Sequence, residues 1–216
     1  MVVHGHLQLL EEVTFMLEKI LDTAKHCIGL NEKDGSFKKI IDTYNTISPL
    51  PRGYRMQYTD EWCATFISYL GKVNNCNNII LPECSCNEMI KLYKNQGISF
   101  RRANPKIGDL IFYDWKGDGI ANHIGIISNI SVSNLLTVIE GNKSERVDYR
   151  QINVTDGRIL GYITPNYEDK SQPSPWAKDA WEKATKLKIV DGTRPHDALT
   201  REELTLVLER VGLLDK

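Results

Sequence analysis

Pro105-Lys106-Ile107-Gly108-Asp109-Leu110-Ile111-Phe112-Tyr113-Asp114-Trp115 marks the point where the texture of the chain changes. A proline and a glycine lead into a run of aliphatic and aromatic residues, which is the composition of a strand. Before this stretch, apolar residues recur at helical spacing. Leu7, Leu10, Val13, Met16, Leu17, Ile20, Leu21 and Ala24 predict a helix over residues 7–29. Further helices are expected over 36–46, from about residue 60 to Val73, and over 87–96, the last closed by Gly97. After it, Gly117-Asp118-Gly119 reads as a turn, and strands are expected at 123–129, 135–140, near 145–152 and at 158–163. Helices first and a meander of strands afterwards predict an α+β domain, with the N-terminal helices packed on an antiparallel sheet.

The polar, proline-bearing run 165–175 reads as a linker, which leaves residues 1–164 as the main domain. Residues 176–216 form a small helix–loop–helix segment, with Trp176, Ala180, Trp181, Ala184 and Leu187 along one helix and Leu204, Val207, Leu208 and Val211 along the other. Some forty residues, about this length, bury little core alone. The segment is therefore expected to pack on the main domain or on copies of itself.

Composition excludes several classes. A net charge of -1 over 216 residues provides no basic footprint for nucleic acid. No apolar run reaches the roughly 18 residues of a membrane span, so no membrane partner is expected. The N-terminus has no positive n-region, and Glu11, Glu12 and Glu18 interrupt the apolar residues that follow. Synthesis in the cytoplasm without a signal peptide is the corresponding expectation. Cys27, Cys63, Cys76, Cys84 and Cys86 are odd in number, which favours a reactive thiol over a disulfide framework. Cys76, Cys84 and Cys86 lack the spacing of a zinc site, and Cys86 reads as filling or capping a helix start.

Cys63 follows Trp62 at the head of a helical run, with Thr59 or Asp60 as the expected N-cap. Unpaired N–H groups and the helix dipole there favour a thiolate. A thiol nucleophile needs a base, and the base needs a group to orient it. Residues 128–134 read as the turn between two strands. A hairpin centred near residues 131 and 132 places His123 opposite Glu140, with Asn142 on the same face. Glu140 would then hold the imidazole with its other nitrogen toward the sulfur.

Trp62-Cys63-Ala64, Gly108-Asp109-Leu110, Asn122-His123-Ile124-Gly125 and Val138-Ile139-Glu140-Gly141-Asn142 resemble, as an ordered set over about residues 10–165, the CHAP amidase/peptidase family. That family belongs to the papain-like superfamily. The resemblance implies Cys63 as nucleophile, His123 as base, Glu140 as orienting carboxylate, Asn142 as a fourth polar residue, and cleavage of amide bonds in bacterial peptidoglycan. The acidic calcium-binding loop of certain phage members is not evident, because Asn31, Glu32, Asp34 and Asp42 are too loosely spaced; no metal and no cofactor are expected. Trp62 stands where some members have glutamine. The expected oxyanion donors are the Cys63 N–H and the Gln57 side chain. Tyr58, Trp115 and Asn122 are candidates for the substrate groove.

Trp176-Ala177 to Trp181, Asp191-Gly192 and Thr200-Arg201-Glu202-Glu203 are similar to a shortened S-layer homology repeat, with Thr200 and Glu203 predicting a capping box. This resemblance implies binding of secondary cell-wall polymer, with Arg194 and Arg201 as candidate contacts, or homo-oligomerisation through residues 176–216. The whole chain reads as a peptidoglycan hydrolase, either an N-acetylmuramoyl-L-alanine amidase or a stem or cross-bridge endopeptidase. It is expected to act as a phage or prophage endolysin, reaching the wall after holin-type release. The alternatives are a cysteine amidase on another substrate, of the antibacterial-effector or glutathionyl-polyamine type, and a non-catalytic wall-binding protein.

Overall fold

The computed structural model describes residues 16–167, 173, 177–193, 195 and 199–214. The chain divides into two compact units, one of residues 16–167 and one holding the described residues from 173 on.

In the first unit, helices precede strands. Of the helix predicted over 7–29, residues 16–26 form α1, and 7–15 lie outside the described residues. Helix α2 (Lys38–Tyr44) buries Ile40, Ile41 and Tyr44. A 3₁₀ turn at Pro51–Gly53 leads to α3 (Cys63–Val73), and α4 spans Cys86–Asn95. Helix α3 is more enclosed than an amphipathic stripe requires: every residue from Cys63 to Gly71 is buried. A helix apolar on most sides belongs in the middle of a core. Its polar Ser68 is satisfied internally, donating to the Glu83 carbonyl at 2.6 Å and accepting from the Glu83 N–H at 2.7 Å. Neither Thr59 nor Asp60 caps this helix. The N-cap is Trp62, whose side chain makes no capping bond, and Asp60 instead accepts from the Gln57 N–H and the Tyr54 hydroxyl. Gly97, at φ 76°, ends α4 in the left-handed conformation that suits glycine.

Five strands follow: β1 (Leu110–Tyr113), β2 (His123–Ile130), β3 (Leu135–Glu140), β4 (Asp148–Asn153) and β5 (Ile159–Ile163). They form one antiparallel sheet in the order β4-β3-β2-β1-β5. Its central strand β2 is buried from His123 to Ile127, and α3 packs on it. The fold is thus α+β, with helices on an antiparallel sheet.

The β2–β3 register differs from the predicted one. Ile126 faces Ile139 and Ile127 faces Val138, so in this register Glu140 stands opposite Gly125, two residues from His123. The loop closes on four residues, with the Ser131 N–H bonded to the Leu135 carbonyl and Asn134 at φ 60°. A bulge at Ser128 shifts the pairing beyond it. Because the shift beside His123 is two residues, Glu140 keeps its face.

Gly125 leaves room for Glu140. A Cβ added there would lie 2.5 Å from Val138 Cγ1 and 2.7 Å from Glu140 Cγ. Gly125→Ala is expected to destabilise the fold by about 1–3 kcal/mol, the usual cost of overpacking a core. The denaturant midpoint measures it, and an unchanged midpoint would mean that Glu140 moves freely.

In the second unit, α5 (Lys178–Lys186) and α6 (Arg201–Arg210) have no buried residue. The capping box is present: the Glu203 N–H donates to Thr200 Oγ1 at 3.1 Å, and the Thr200 N–H donates to Glu203 Oε2 at 2.9 Å. Among the described residues, no helix is long and apolar enough to cross a membrane.

Candidate active site

Three side chains from three elements converge on the face where α3 meets the sheet. Cys63 is the first residue of α3, His123 the first of β2, and Glu140 the last of β3. All three are buried, Glu140 completely. The residue that presents Cys63 is itself anchored: the buried Trp62 indole donates to Glu32 Oε1 at 2.9 Å and lies against Phe37.

His123 Nε2 meets Glu140 Oε2 at 3.0 Å. This bond leaves Nδ1 as the nitrogen available to the thiol, whose proximity helps to raise the imidazole's pKa. On its other side Glu140 meets Arg150, whose Nε donates to both carboxylate oxygens, at 2.7 and 2.9 Å. The Arg150 guanidinium lies over Trp115 at 4.6 Å and over Tyr113 at 5.7 Å. A buried carboxylate is therefore held between two cationic partners, as burial of a charge demands.

The ionisation states follow from these contacts. The Cys63 thiol is held well below the usual thiol range, first by a hydrogen bond from Cys86, against the cost of burial, and then by the hydrogen bond and charge of His123 and the Ala64 N–H. Burial works against the His123 imidazolium, but hydrogen bonds and charges from Cys63 and Glu140 outweigh it and raise its pKa to about 9. Burial also opposes the Glu140 carboxylate, and its bonds to His123 and Arg150 outweigh that, keeping its pKa below the ordinary value. These contacts favour the thiolate on Cys63 and the imidazolium on His123, with a carboxylate behind them, the polarity a cysteine nucleophile needs.

The other predicted residues divide. Trp115 lies beside His123, with ring centroids 6.4 Å apart, and stacks on Tyr113 at 4.8 Å. Asn122 ties the Trp115 loop to β2: its Oδ1 accepts from the Trp115 N–H at 3.0 Å, and its own N–H donates to the Tyr113 carbonyl at 2.9 Å. Asn142 does not join the line. The chain leaves the sheet after Glu140, Asn142 adopts φ 55°, and its Nδ2 donates to Glu61. Gln57 is exposed, and its Nε2 donates to the Arg55 carbonyl at 3.0 Å. Tyr58 is exposed, its hydroxyl donates to Asp42 at 2.8 Å, and the Lys38 ammonium sits over its ring. Arg201 opens α6 in the second unit. Arg194 lies outside the described residues, as do Trp176 and most of the predicted linker.

Two neighbours of the site are missed by the sequence reading. Arg150 sits on β4 opposite Val138, diagonal to Glu140, and reads in sequence as one solvated charge in a weak strand. Cys86 opens α4, with its sulfur 3.8 Å from that of Cys63. For Arg150 the available signal is the inward alternation of residues 148, 150 and 152; for Cys86 the sequence offers none beyond the helix start.

Residues 53–142 match the CHAP domain family. The match takes in Cys63, His123 and Glu140 and is narrower than the 10–165 suggested by the motifs. β4, with Arg150, and β5 lie beyond this CHAP segment. Among solved structures, the chain is similar to one titled "The crystal structure of Ly7917", at 14% identity and a TM-score of 0.37, covering 49% of this chain and 53% of that one. The chain thus spans about half the length of that protein. No curated protein matches the sequence.

Proposed function

We propose that the CHAP segment hydrolyses an amide bond of bacterial peptidoglycan with Cys63 as nucleophile. The observation that carries this reading is the buried line Cys63–His123–Glu140, whose contacts favour a thiolate beside an imidazolium.

The Cys63 thiolate attacks the substrate carbonyl. The developing oxyanion is met by the Cys63 backbone N–H, which at the first helical position has no intrahelical acceptor. His123 gives its proton to the leaving amine, and the C–N bond breaks to leave a thioester on Cys63. Water then loses a proton to His123, attacks the thioester, and releases the carboxylic acid and the thiolate. Glu140 orients the imidazole and stabilises its charge throughout. Arg150 keeps Glu140 ionised and fixed. The Gln57 side chain has no part in this scheme. Trp115 provides an aromatic wall next to His123 for the groove.

Digestion of purified peptidoglycan, followed by mass spectrometry of the fragments, tests the proposal. New amino and carboxyl termini without new reducing sugar ends are expected. A free lactyl carboxylate identifies the muramoyl–L-alanine amidase, whereas cleavage within peptides identifies the endopeptidase. No release from any wall chemotype would reject the substrate. A lytic role of the phage type is part of the same proposal, and lysis of intact cells by added protein is its expected sign. Wall-polymer binding or self-association by the second unit is a further part, read from cosedimentation of the full chain with sacculi and from its mass in solution.

The pH dependence separates two steps. Hydrolysis is expected to fall above about pH 9, as His123 loses the proton the leaving group needs. Alkylation of Cys63 by iodoacetamide needs only the thiolate and should not fall there. Parallel loss of both would contradict the assignment of His123 as the acid. Thermal stability is a poor reporter of this pair. The raised imidazole contributes stability that is lost as pH rises toward 9, while the lowered thiol contributes stability that grows up to its ordinary pKa, so the two slopes oppose each other. Glu140 adds a separate acid-side effect, with stability lost as pH falls through its lowered pKa.

A further inference from the structure

The first residues of α3 and α4 are both cysteines, and the two helix starts meet. Cys63 Sγ and Cys86 Sγ are 3.8 Å apart, both are free thiols, and both are buried. That separation is within reach of a sulfur–sulfur hydrogen bond. Cys86 is held on both sides. Ser85 caps α4 by accepting from the Glu88 N–H, and Asn87 clamps the backbone of Ala121, accepting from its N–H at 3.0 Å and donating to its carbonyl at 3.1 Å. Ala121 lies two residues before His123, so one short segment fixes Cys86 relative to both sulfur and imidazole.

We infer that Cys86 is a second functional thiol of the active site, which donates its S–H to the Cys63 thiolate and holds that sulfur ionised and aimed. This rests on the reading of Cys63 as the nucleophile. A thiolate buried at a helix start needs donors, because burial removes water from it. His123 from β2 supplies one and Cys86 from α4 another. Among the described residues, the other charged groups that bear on the pair are Glu140 and Arg150, which act through His123, and Glu83, whose charge bears on Cys86. The proximity of Cys63 and the cost of burial raise the Cys86 thiol well above its usual range, so it stays protonated and remains a donor while Cys63 is ionised. The two sulfurs therefore have different roles, one nucleophile and one fixed donor.

Alkylation of Cys63 by iodoacetamide across pH, resolved by peptide mapping, tests this in the full-length protein. Three variants separate donation from packing: Cys86→Ala, Cys86→Val without a donor but with comparable bulk, and Cys86→Ser with a hydroxyl donor. Cys63 is expected to titrate about one unit higher in the Ala and Val variants, a roughly tenfold loss of thiolate below the midpoint. The Ser variant should lie between them and wild type. Equal midpoints in wild type and all three variants would overturn the inference and leave the nucleophile assignment standing. The same shift in Ser as in Val would also overturn it, because volume and not donation would then be the cause. A wild-type Cys63 that reacts at neutral pH no faster than an ordinary thiol would overturn both readings. Thermal unfolding of each variant verifies that the fold is intact, and any one folded variant lacking a donor suffices for the comparison.

Discussion

Cys63→Ala is expected to reduce peptidoglycan hydrolysis by roughly four orders of magnitude or more, because removing the nucleophile removes the only covalent route through the site. The geometry leaves no substitute. Cys86 is the adjacent thiol, but its ionisation is opposed by Cys63 and by burial, and among the described residues no hydrogen bond joins it to an imidazole. The change takes one buried sulfur from the first turn of α3, and the Trp62–Glu32 anchor remains in place to hold the turn. Far-ultraviolet circular dichroism should therefore be unaltered while fragment release disappears. Substantial release by the alanine protein would mean that the amide is cleaved by another group.

Glu140→Gln is expected to have the second-largest effect, and it acts on two quantities at once. The substitution leaves the side chain's shape and deletes the charge that faces His123 and Arg150. Removing one partner of a buried ion pair costs about 3–5 kcal/mol, and the lower end applies here because the Arg150 side chain is 26% exposed and regains some solvation. The amide also bonds the imidazole without stabilising its charge, and such a loss of the orienting carboxylate lowers turnover roughly 10³–10⁴-fold. The pH profile should move as well. With one of its two raising partners neutralised, His123 loses its proton at a lower pH than the wild-type value of about 9, and the alkaline limb of hydrolysis moves down. Denaturant unfolding and kcat/KM against pH measure the two parts. An unmoved limb with reduced stability would assign Glu140 a structural role alone.

Much of this architecture is legible in the residues. The change from 3.6-residue to strand-like spacing near Pro105 separates helices from sheet, and the strands fall where alternation and turn residues place them. Even the wrong hairpin register leaves Glu140 beside His123. The error is two residues, and a side-chain period of two forgives an even slip. The same rule fails for Asn142, because the pleat ends at Glu140 and a residue at φ 55° no longer follows strand alternation. Gln57 fails for a related reason: it lies in a loop whose direction is set by Asp60 accepting its N–H, a contact that no periodicity encodes. Asp60, spent in that loop, is then unable to cap α3.

Arg150 and Cys86 are illegible for another reason. Arg150 reaches the site through the register of β4 on β3, where the inward alternation of 148, 150 and 152 gives its face but not its partner, and Cys86 reaches it through the contact of the α4 start with the α3 start, which nothing local marks. In sequence, Arg150 is one cation among 27 lysines and arginines, which makes a solvated reading the natural one. The site is therefore half local and half topological. The nucleophile and its helix start are local features, while the groups that set its charge state come from chain crossings.

Trapping the thioester is the measurement to make. Wild-type protein digesting soluble peptidoglycan fragments is quenched in acid within the first turnover, and its intact mass and peptide map are recorded. A mass increase equal to the acyl fragment, located on Cys63 and missing from Cys63→Ala, is the expected result. Efficient hydrolysis with no adduct on Cys63 at any quench time, together with full turnover by Cys63→Ala, would contradict a thiol nucleophile at this site.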